Sequence, residues 1–330
     1  MKFSCLLAVA VVVSMMGCGG SGDPQVTAEA TEPVREVVVA LDGVESPETV
    51  GLVMAERDDC FLEEGLEART LSPVTLDRSI GAVADGTDEF GIAHEPDVLM
   101  AAARGAPIVV IASVVSEPTD AMIWLKKAKI RDIADLRGKT IAIPGVSFQK
   151  GFLRSYLARG GVALDEVKII RVMDDLVPAL VSGRADAAFG GSWNIEGVDL
   201  RSRGLEPVVT RVARFLELPA YDELVVITRR DQLRNPELLR AFLSSLDCGT
   251  EAAISDPGDI EDAIQLAVEW NHGPSDRATR AALAATLPLL SRDGRANPDE
   301  ALALAEWMQR EGIIQRVPAV SSLFTDDYLP

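Results

Sequence analysis

Residues 107–115 read PIVVIASVV, an almost unbroken apolar run. A strand with one wet face alternates apolar and polar residues. A run without alternation suits a central parallel strand covered by helices on both faces. The preceding segments fit that frame. Val37–Leu41 is a Val-rich strand ending at Asp42-Gly43. Pro47–Asp59 reads as a helix with Pro47 just inside its start and Ser46 as N-cap. Phe61, Leu62 and Gly65 make a turn, Leu66–Leu71 a strand and Leu76–Asp85 a short amphipathic helix. Phe90–Ala93 is a strand stub, and Pro96–Arg104 a helix stopped by Gly105. Strands alternating with helices predict a three-layer α/β domain.

The pattern repeats downstream. Asp132–Leu136 is a helical turn, Thr140–Ile143 a strand, and Pro144–Ser147 a turn into a helix over Phe148–Arg159. Val167–Val172, Ala187–Phe189 and Pro207–Thr210 read as extended, with helices over Leu176–Ser182 and Ile195–Arg203 between them. Tyr221–Thr228 is a strong strand, and helices follow over 235–254, 258–270, 276–286 and 298–311. Two stretches share one grammar of helix end, tight turn, strand and small-residue loop into a helix. They begin at Gly86 and Gly183. They place comparable loops, one per lobe, at carboxyl ends of strands, where open parallel sheets bind ligands. Thr119–Lys127 and Leu218–Thr228 read as crossings between lobes. The expected body is one lobe of two pieces, 34–120 and 222–330, with an inserted second lobe, 121–221, closing about a two-segment hinge.

The amino terminus reads as an export leader over residues 1–17. Lys2 is its positive region and Leu6–Val13 its apolar core, too short to span a bilayer. Met15-Met16-Gly17-Cys18 resembles a bacterial lipobox, which makes Cys18 the lipid-bearing residue. The alternative is an ordinary secretion signal with a chance cysteine. Residues 18–33 are Gly/Ser-rich and then acidic, and read as a flexible tether. The expected location is outside the cell, anchored to the outer face of the cytoplasmic membrane or in the periplasm, with lipid as the only membrane contact. The formal charge of −19 is unsuited to nucleic acid, which requires basic clusters. Cys60 and Cys248 remain for the body, either as one disulfide or as two buried thiols. His94 and His272 are the only histidines and build no metal motif, and no cofactor motif is present.

The combination is similar to the solute-binding proteins of bacterial ABC importers, with the type II periplasmic binding protein fold. Within them it resembles the family that binds thiamine-pyrimidine precursors, related to sulfonate- and taurine-binding proteins. The resemblance runs from about Val37 to Trp270. It is carried by Leu41-Asp42-Gly43, Phe61-Leu62-Glu63-Glu64-Gly65-Leu66, Phe90-Gly91-Ile92-Ala93 and Asp135-Leu136-Arg137-Gly138-Lys139-Thr140. The most specific mark is Gly191-Ser192-Trp193-Asn194-Ile195-Glu196-Gly197, followed by Tyr221-Asp222-Glu223-Leu224. The resemblance implies a monomeric receptor for a small heteroaromatic ligand, a formylaminopyrimidine or hydroxymethylpyrimidine, delivered to an ABC permease with its ATPase. One departure stands out. The family usually has Trp after the first-strand Asp, and here that place holds Gly43. An aromatic wall is missing, so riboflavin or another flat heteroaromatic competes as ligand, as does a sulfonate.

Several residues are candidates for binding. Trp193, beside Gly190 and Gly191, offers a ring for stacking or else anchors the core. Asn194 and Glu196 can match the amine edge of an aminopyrimidine, and in the resembled family the glutamate at the position of Glu196 contacts the ring. Their structural alternatives are an N-cap and a favourable first-turn charge. Asp42 ends the first strand and either binds or caps a turn. His94 and Glu95 end the strand stub of the first lobe and either face the cleft or serve structure. Ser147, Phe148 and Gln149 follow the Gly145 turn, where free N–H groups suit a carboxylate, formyl oxygen or phosphate. Tyr221 closes over the ligand or packs at the crossing. A binding module is the first expectation and an enzyme the second. Related eukaryotic synthases use their own histidine and a cysteine-rich metal-binding segment, and that segment is absent here. A structural or adhesive lipoprotein is the third.

Overall fold

A computed structural model describes residues 34–43, 45–72, 78–173, 175–255 and 276–330. The leader, Cys18, the tether and the helix expected over 258–270 lie outside them. Strands β1 (Arg35–Leu41), β2 (Leu66–Leu71), β3 (Phe90–His94) and β4 (Ile108–Val115) belong to one sheet. Strands β5 (Asp120–Leu125), β6 (Thr140–Ile143), β7 (Lys168–Arg171), β8 (Ala187–Ser192) and β9 (Pro207–Arg211) form a second. Strand β10 (Leu224–Arg229) returns to the first. The orders are β2-β1-β3-β10-β4 and β7-β6-β8-β5-β9. Helices flank both sheets, as a type II periplasmic binding protein requires.

The apolar run 107–115 is not a central parallel strand. Strand β4 lies at the end of its sheet and pairs antiparallel with β10. All of its residues are nonetheless buried. Its outer edge is covered by the chain's carboxy-terminal part. Val110 donates to the Leu323 carbonyl at 2.8 Å and accepts from Thr325 N at 3.1 Å, while Ser113 N donates to Gly294 O at 2.8 Å. A covered edge leaves no backbone donor facing water, so both faces and the rim can be apolar.

The crossings are shorter than expected. Asp120–Leu125, read as part of a crossing, is a buried strand between β8 and β9, antiparallel to both. Strand β10 begins at Leu224 rather than Tyr221 and sits between β3 and β4. The chain therefore passes between sheets through 116–119 and 217–223. At the strand ends facing this passage lie the candidate residues.

Sequence separation is closed most tightly behind the first sheet. The Pro236–Ser255 helix packs across Val50–Arg57, and a β-carbon on Gly249 would come 2.1 Å from Gly51 O and 2.4 Å from Ala55 N. Backbone meets backbone there, which only glycine permits. Beside it Cys60 and Cys248 are joined as a disulfide across a sequence separation of 188. Gly249→Ala should therefore lower unfolding stability by about 1–3 kcal/mol through overpacking. Helix propensity alone would raise it by about 1 kcal/mol, so a denaturant melt separates the two. Cys248→Ser should cost about 2–4 kcal/mol, since the denatured chain regains the freedom of a long loop. The same melt, run against reduced wild type, checks it.

Candidate functional site

Three strand ends deliver side chains to the passage: Asp42 after β1, His94 at the end of β3 and Trp193 after β8. Asp42 follows β1, is 4 % exposed, and accepts from Ser79 Oγ and from the His94 backbone N–H at 3.3 Å. His94 ends β3. Its Nδ1 lies 3.7 Å from Asp42 Oδ2 and its Nε2 lies 3.6 Å from Glu223 Oε1. Burial works against its charged form. The pull of Asp42, Glu223 and Asp97 overcomes that and raises its pKa to about 10. The imidazole is thus a cation held among carboxylates. Asp42, His94 and Asp97 also each bring a potential ligand atom within 4.8 Å of the others, a grouping that the spacing of histidines in the sequence did not reveal.

Phe148 packs against this imidazole, ring centroids 5.6 Å apart. Its N–H donates to Asp97 Oδ1 at 3.0 Å. Gln149 donates to Gly190 O at 3.1 Å and accepts from Gly145 N at 3.4 Å. The Gly145 and Phe148 N–H groups, expected to receive an anion, are thereby occupied by the protein's own amide and carboxylate. Ser147 is exposed. Glu95 is the first residue of its helix rather than a cap, is 1 % exposed, and accepts from Asp222 N at 2.9 Å. Burial, then the neighbouring Asp222, pushes its pKa well above the ordinary carboxylate value.

Strand β8 supplies the opposite wall. Trp193 donates its backbone N–H to Thr119 O at 3.0 Å and its indole N–H to Pro118 O at 3.4 Å. It packs against the apolar cores of both sheets. The Arg211 guanidinium lies 3.6 Å from its ring centroid, so one stacking face is already covered. Asn194 is fully buried and is not an N-cap. It donates to Glu48 Oε1 at 3.1 Å and Thr286 Oγ1 at 2.8 Å, tying the second sheet's loop to the first lobe, and its own Oδ1 has no partner. Glu196 reaches back to accept from Ser192 N at 2.6 Å. Its carboxyl is enclosed, and desolvation raises its pKa to about 7. Tyr221 is 1 % exposed, its hydroxyl has no partner, and burial raises its pKa well above the usual phenol value.

Glu48, Asp97, Asp120 and Glu223 were not among the candidates. Glu48 caps nothing with its side chain; it is 6 % exposed and its pKa is raised by desolvation. Asp120 is 3 % exposed, and burial lifts it to about 7. Glu223 is 2 % exposed, accepts from Thr119 N at 2.6 Å across the two crossings, and is lifted by burial to about 8. The Tyr221-Asp222-Glu223 run was the available signal, because two acids entering a strong apolar strand have no solvent to face. Together these groups form a buried carboxyl-rich wall around one imidazole. It can hold N–H donors or positive charge, and it repels anions.

Comparison with known proteins agrees with this geometry. A formylaminopyrimidine-binding protein of Halalkalibacterium halodurans is 29 % identical over 232 residues, 70 % of each chain. The riboflavin-binding protein RibY of Chloroflexus aurantiacus is 24 % identical over 314 residues, 91 % of this chain and 88 % of that one. A 4-amino-5-hydroxymethyl-2-methylpyrimidine phosphate synthase of Legionella pneumophila is 22 % identical over 296 residues, 89 % of this chain and 92 % of that one. Among solved structures, the alkanesulfonate-binding protein SsuA of Xanthomonas axonopodis bound to MOPS superposes with a TM-score of 0.69 at 17 % identity, over 90 % of this chain and 99 % of that one. It shares the two-sheet fold. Residues 46–260 match the family described as NMT1/THI5 like, and the chain belongs to that family.

Proposed function

We propose that this protein is the extracytoplasmic substrate-binding component of an ABC importer, and that it binds an aminopyrimidine precursor of thiamine between its two sheets. The observation that carries this reading is the carboxyl-rich wall of buried Glu48, Asp120 and Glu223 with half-buried Glu196, in which Asp120 Oδ2 has no partner. Buried acceptors are costly unless they are matched, and an aminopyrimidine edge supplies N–H donors. The formylaminopyrimidine-binding relative supports the same ligand. A sulfonate fits poorly, because the Gly145 and Phe148 N–H groups at the turn are already engaged and the wall offers acceptors rather than cations. The lipid anchor at Cys18 and delivery to a permease and ATPase belong to this proposal.

One observation favours riboflavin as a second reading. A β-carbon built on Gly43 meets no atom within 4 Å, so the place where the resembled family carries Trp is open space. The RibY relative points the same way. A synthase is less well supported. Among the described residues the cysteines are paired with each other as a disulfide, so no thiolate cluster is available there.

Native mass spectrometry of the purified protein and a thermal-shift panel of formylaminopyrimidine, hydroxymethylpyrimidine, riboflavin and taurine test the assignment. The pyrimidines should stabilise the protein and taurine should not. Stabilisation by riboflavin alone would transfer the assignment to the second reading. Glu196→Gln should weaken pyrimidine binding roughly 5- to 100-fold, the effect of mismatching one buried polar contact. Gly43→Trp should leave pyrimidine binding in place but block a flavin.

The titrating groups give a further test. Glu223, Asp120 and Glu196 hold protons in the folded state up to about pH 8, 7 and 7, while their unfolded values are 4.5, 3.8 and 4.5. As pH rises above the unfolded values, the unfolded chain releases protons that the folded chain retains, so stability falls. His94 acts in the same direction between its unfolded 6.5 and about 10. The ligand-free protein should therefore lose stability steadily from pH 5 to 9, at about 1.4 kcal/mol per pH unit for each retained proton. Glu223→Gln should flatten the fall between pH 5 and 8 in melts across that range.

A further inference from the structure

Most polar atoms of the cleft have partners within the protein. Asp42 is held by Ser79 and the His94 N–H, Glu223 by Thr119 N, Glu196 by Ser192 N and Glu48 by Asn194. His94 Nδ1, Glu95 Oε1, Asn194 Oδ1, Asp120 Oδ2 and Tyr221 Oη are buried without a hydrogen-bond partner, and of these Asp120 and Tyr221 lie at the two crossings. Both belong to the passage between the sheets, Asp120 as the first residue of β5 and Tyr221 just before β10. They are near enough to interact electrostatically. Leaving such groups unmatched destabilises the fold, and evolution of a stable core alone would replace them with Asn or Leu and Phe.

We propose that Asp120 and Tyr221 are further cleft groups that pair with the ligand beside Glu196, and that Asp120 Oδ2 accepts from an exocyclic amine on its ring. The inference rests on the reading of the cleft as a pyrimidine site and names the part of the ligand that is recognised. The surroundings of Asp120 set its polarity. Glu48 and Asp97 add negative charge, and His94 is the positive charge nearby. The Gln149 amide donates to Gly190 O, and Asp120 Oδ2 remains an acceptor without a partner. An amine N–H satisfies it. Once Asp120 is ionised, which burial delays to about pH 7, a carbonyl oxygen or a sulfonate at the same place sets acceptor against acceptor. Tyr221, next to Asp120 and Glu223, can donate its hydroxyl proton to an acceptor atom on the same ring. Asp120 thereby discriminates amino-bearing rings from oxo-bearing rings of the same shape.

The test uses two probes, 4-amino-5-hydroxymethyl-2-methylpyrimidine and its analogue with methyl in place of the amine. Affinities are measured by calorimetry for wild type, Asp120→Asn and Tyr221→Phe, and melting temperatures are measured without ligand. Wild type should bind the amine about tenfold or more tightly than the methyl analogue, the effect of one matched buried hydrogen bond. Asp120→Asn removes the carboxylate charge and replaces one acceptor oxygen with N–H₂. It should erase the preference, while the ligand-free melting temperature stays level or rises. Tyr221→Phe should weaken both probes without lowering that temperature. An unchanged preference in Asp120→Asn would overturn the assignment, and so would a loss of several degrees in the ligand-free melt, which marks a structural role. If neither probe binds wild type while riboflavin does, the pyrimidine reading itself fails, an outcome distinct from a retained preference in the variant.

Discussion

The structure depends on enclosing several carboxyl groups around a single imidazole at the meeting of two sheets. His94 is the only histidine among the described residues, and Asp42, Asp97 and Glu223 all press on it. Removing such groups from water is unfavourable for each of them. The fold reduces the cost in two ways. It keeps His94 charged, and it supplies backbone N–H donors, from Thr119 to Glu223 and from Ser192 to Glu196. Both donors come from segments next to the crossings. The electrostatics of the cleft and the geometry of the passage between sheets are therefore one arrangement. A change in one disturbs the other.

Much of the architecture was legible because hydrophobic periodicity reports burial directly. The strand over Leu66–Leu71 and the helices over Leu176–Ser182 and Asp276–Thr286 fall where the pattern put them. The same signal misled where burial has more than one cause. PIVVIASVV is apolar on both faces because the carboxy-terminal chain seals an edge, not because the strand is central. Only long-range pairing between Val110 and residues near Phe324 makes that so, and local sequence carries no trace of it. Asp120–Leu125 was read only as part of a crossing between lobes, although it forms a buried strand of the second sheet.

The site was legible to a different degree. Asp42, His94, Glu95, Phe148, Gln149, Asn194, Glu196 and Tyr221 do lie around the passage, because carboxyl ends of strands are recognisable from where apolar runs stop. What each side chain does there was not recoverable. Asn194 had an equally good reading as a cap, and it turned out to be fully buried and bonded to Glu48 and Thr286. Glu48 sits in a first helical turn, where an acid is ordinary on the macrodipole alone. Nothing in its local sequence says that the turn faces another lobe rather than water. Glu223 and Asp120 share this ambiguity.

Trp193 shows how the two lobes are joined. Its indole packs on both apolar cores, its ring N–H holds Pro118, and Arg211 covers one face. A residue bound on that many sides sets the spacing of the walls more than it serves as a free platform. Arg211 takes one face of the indole, and Phe148 packs beside His94. The width of the slot then falls to the residue after Asp42, where Gly43 leaves open space. Separating width from polarity in this way explains how one fold can hold rings of different size. On the proposed reading, the carboxyl wall reads the edge of the ring and the open space at Gly43 sets how much ring is admitted.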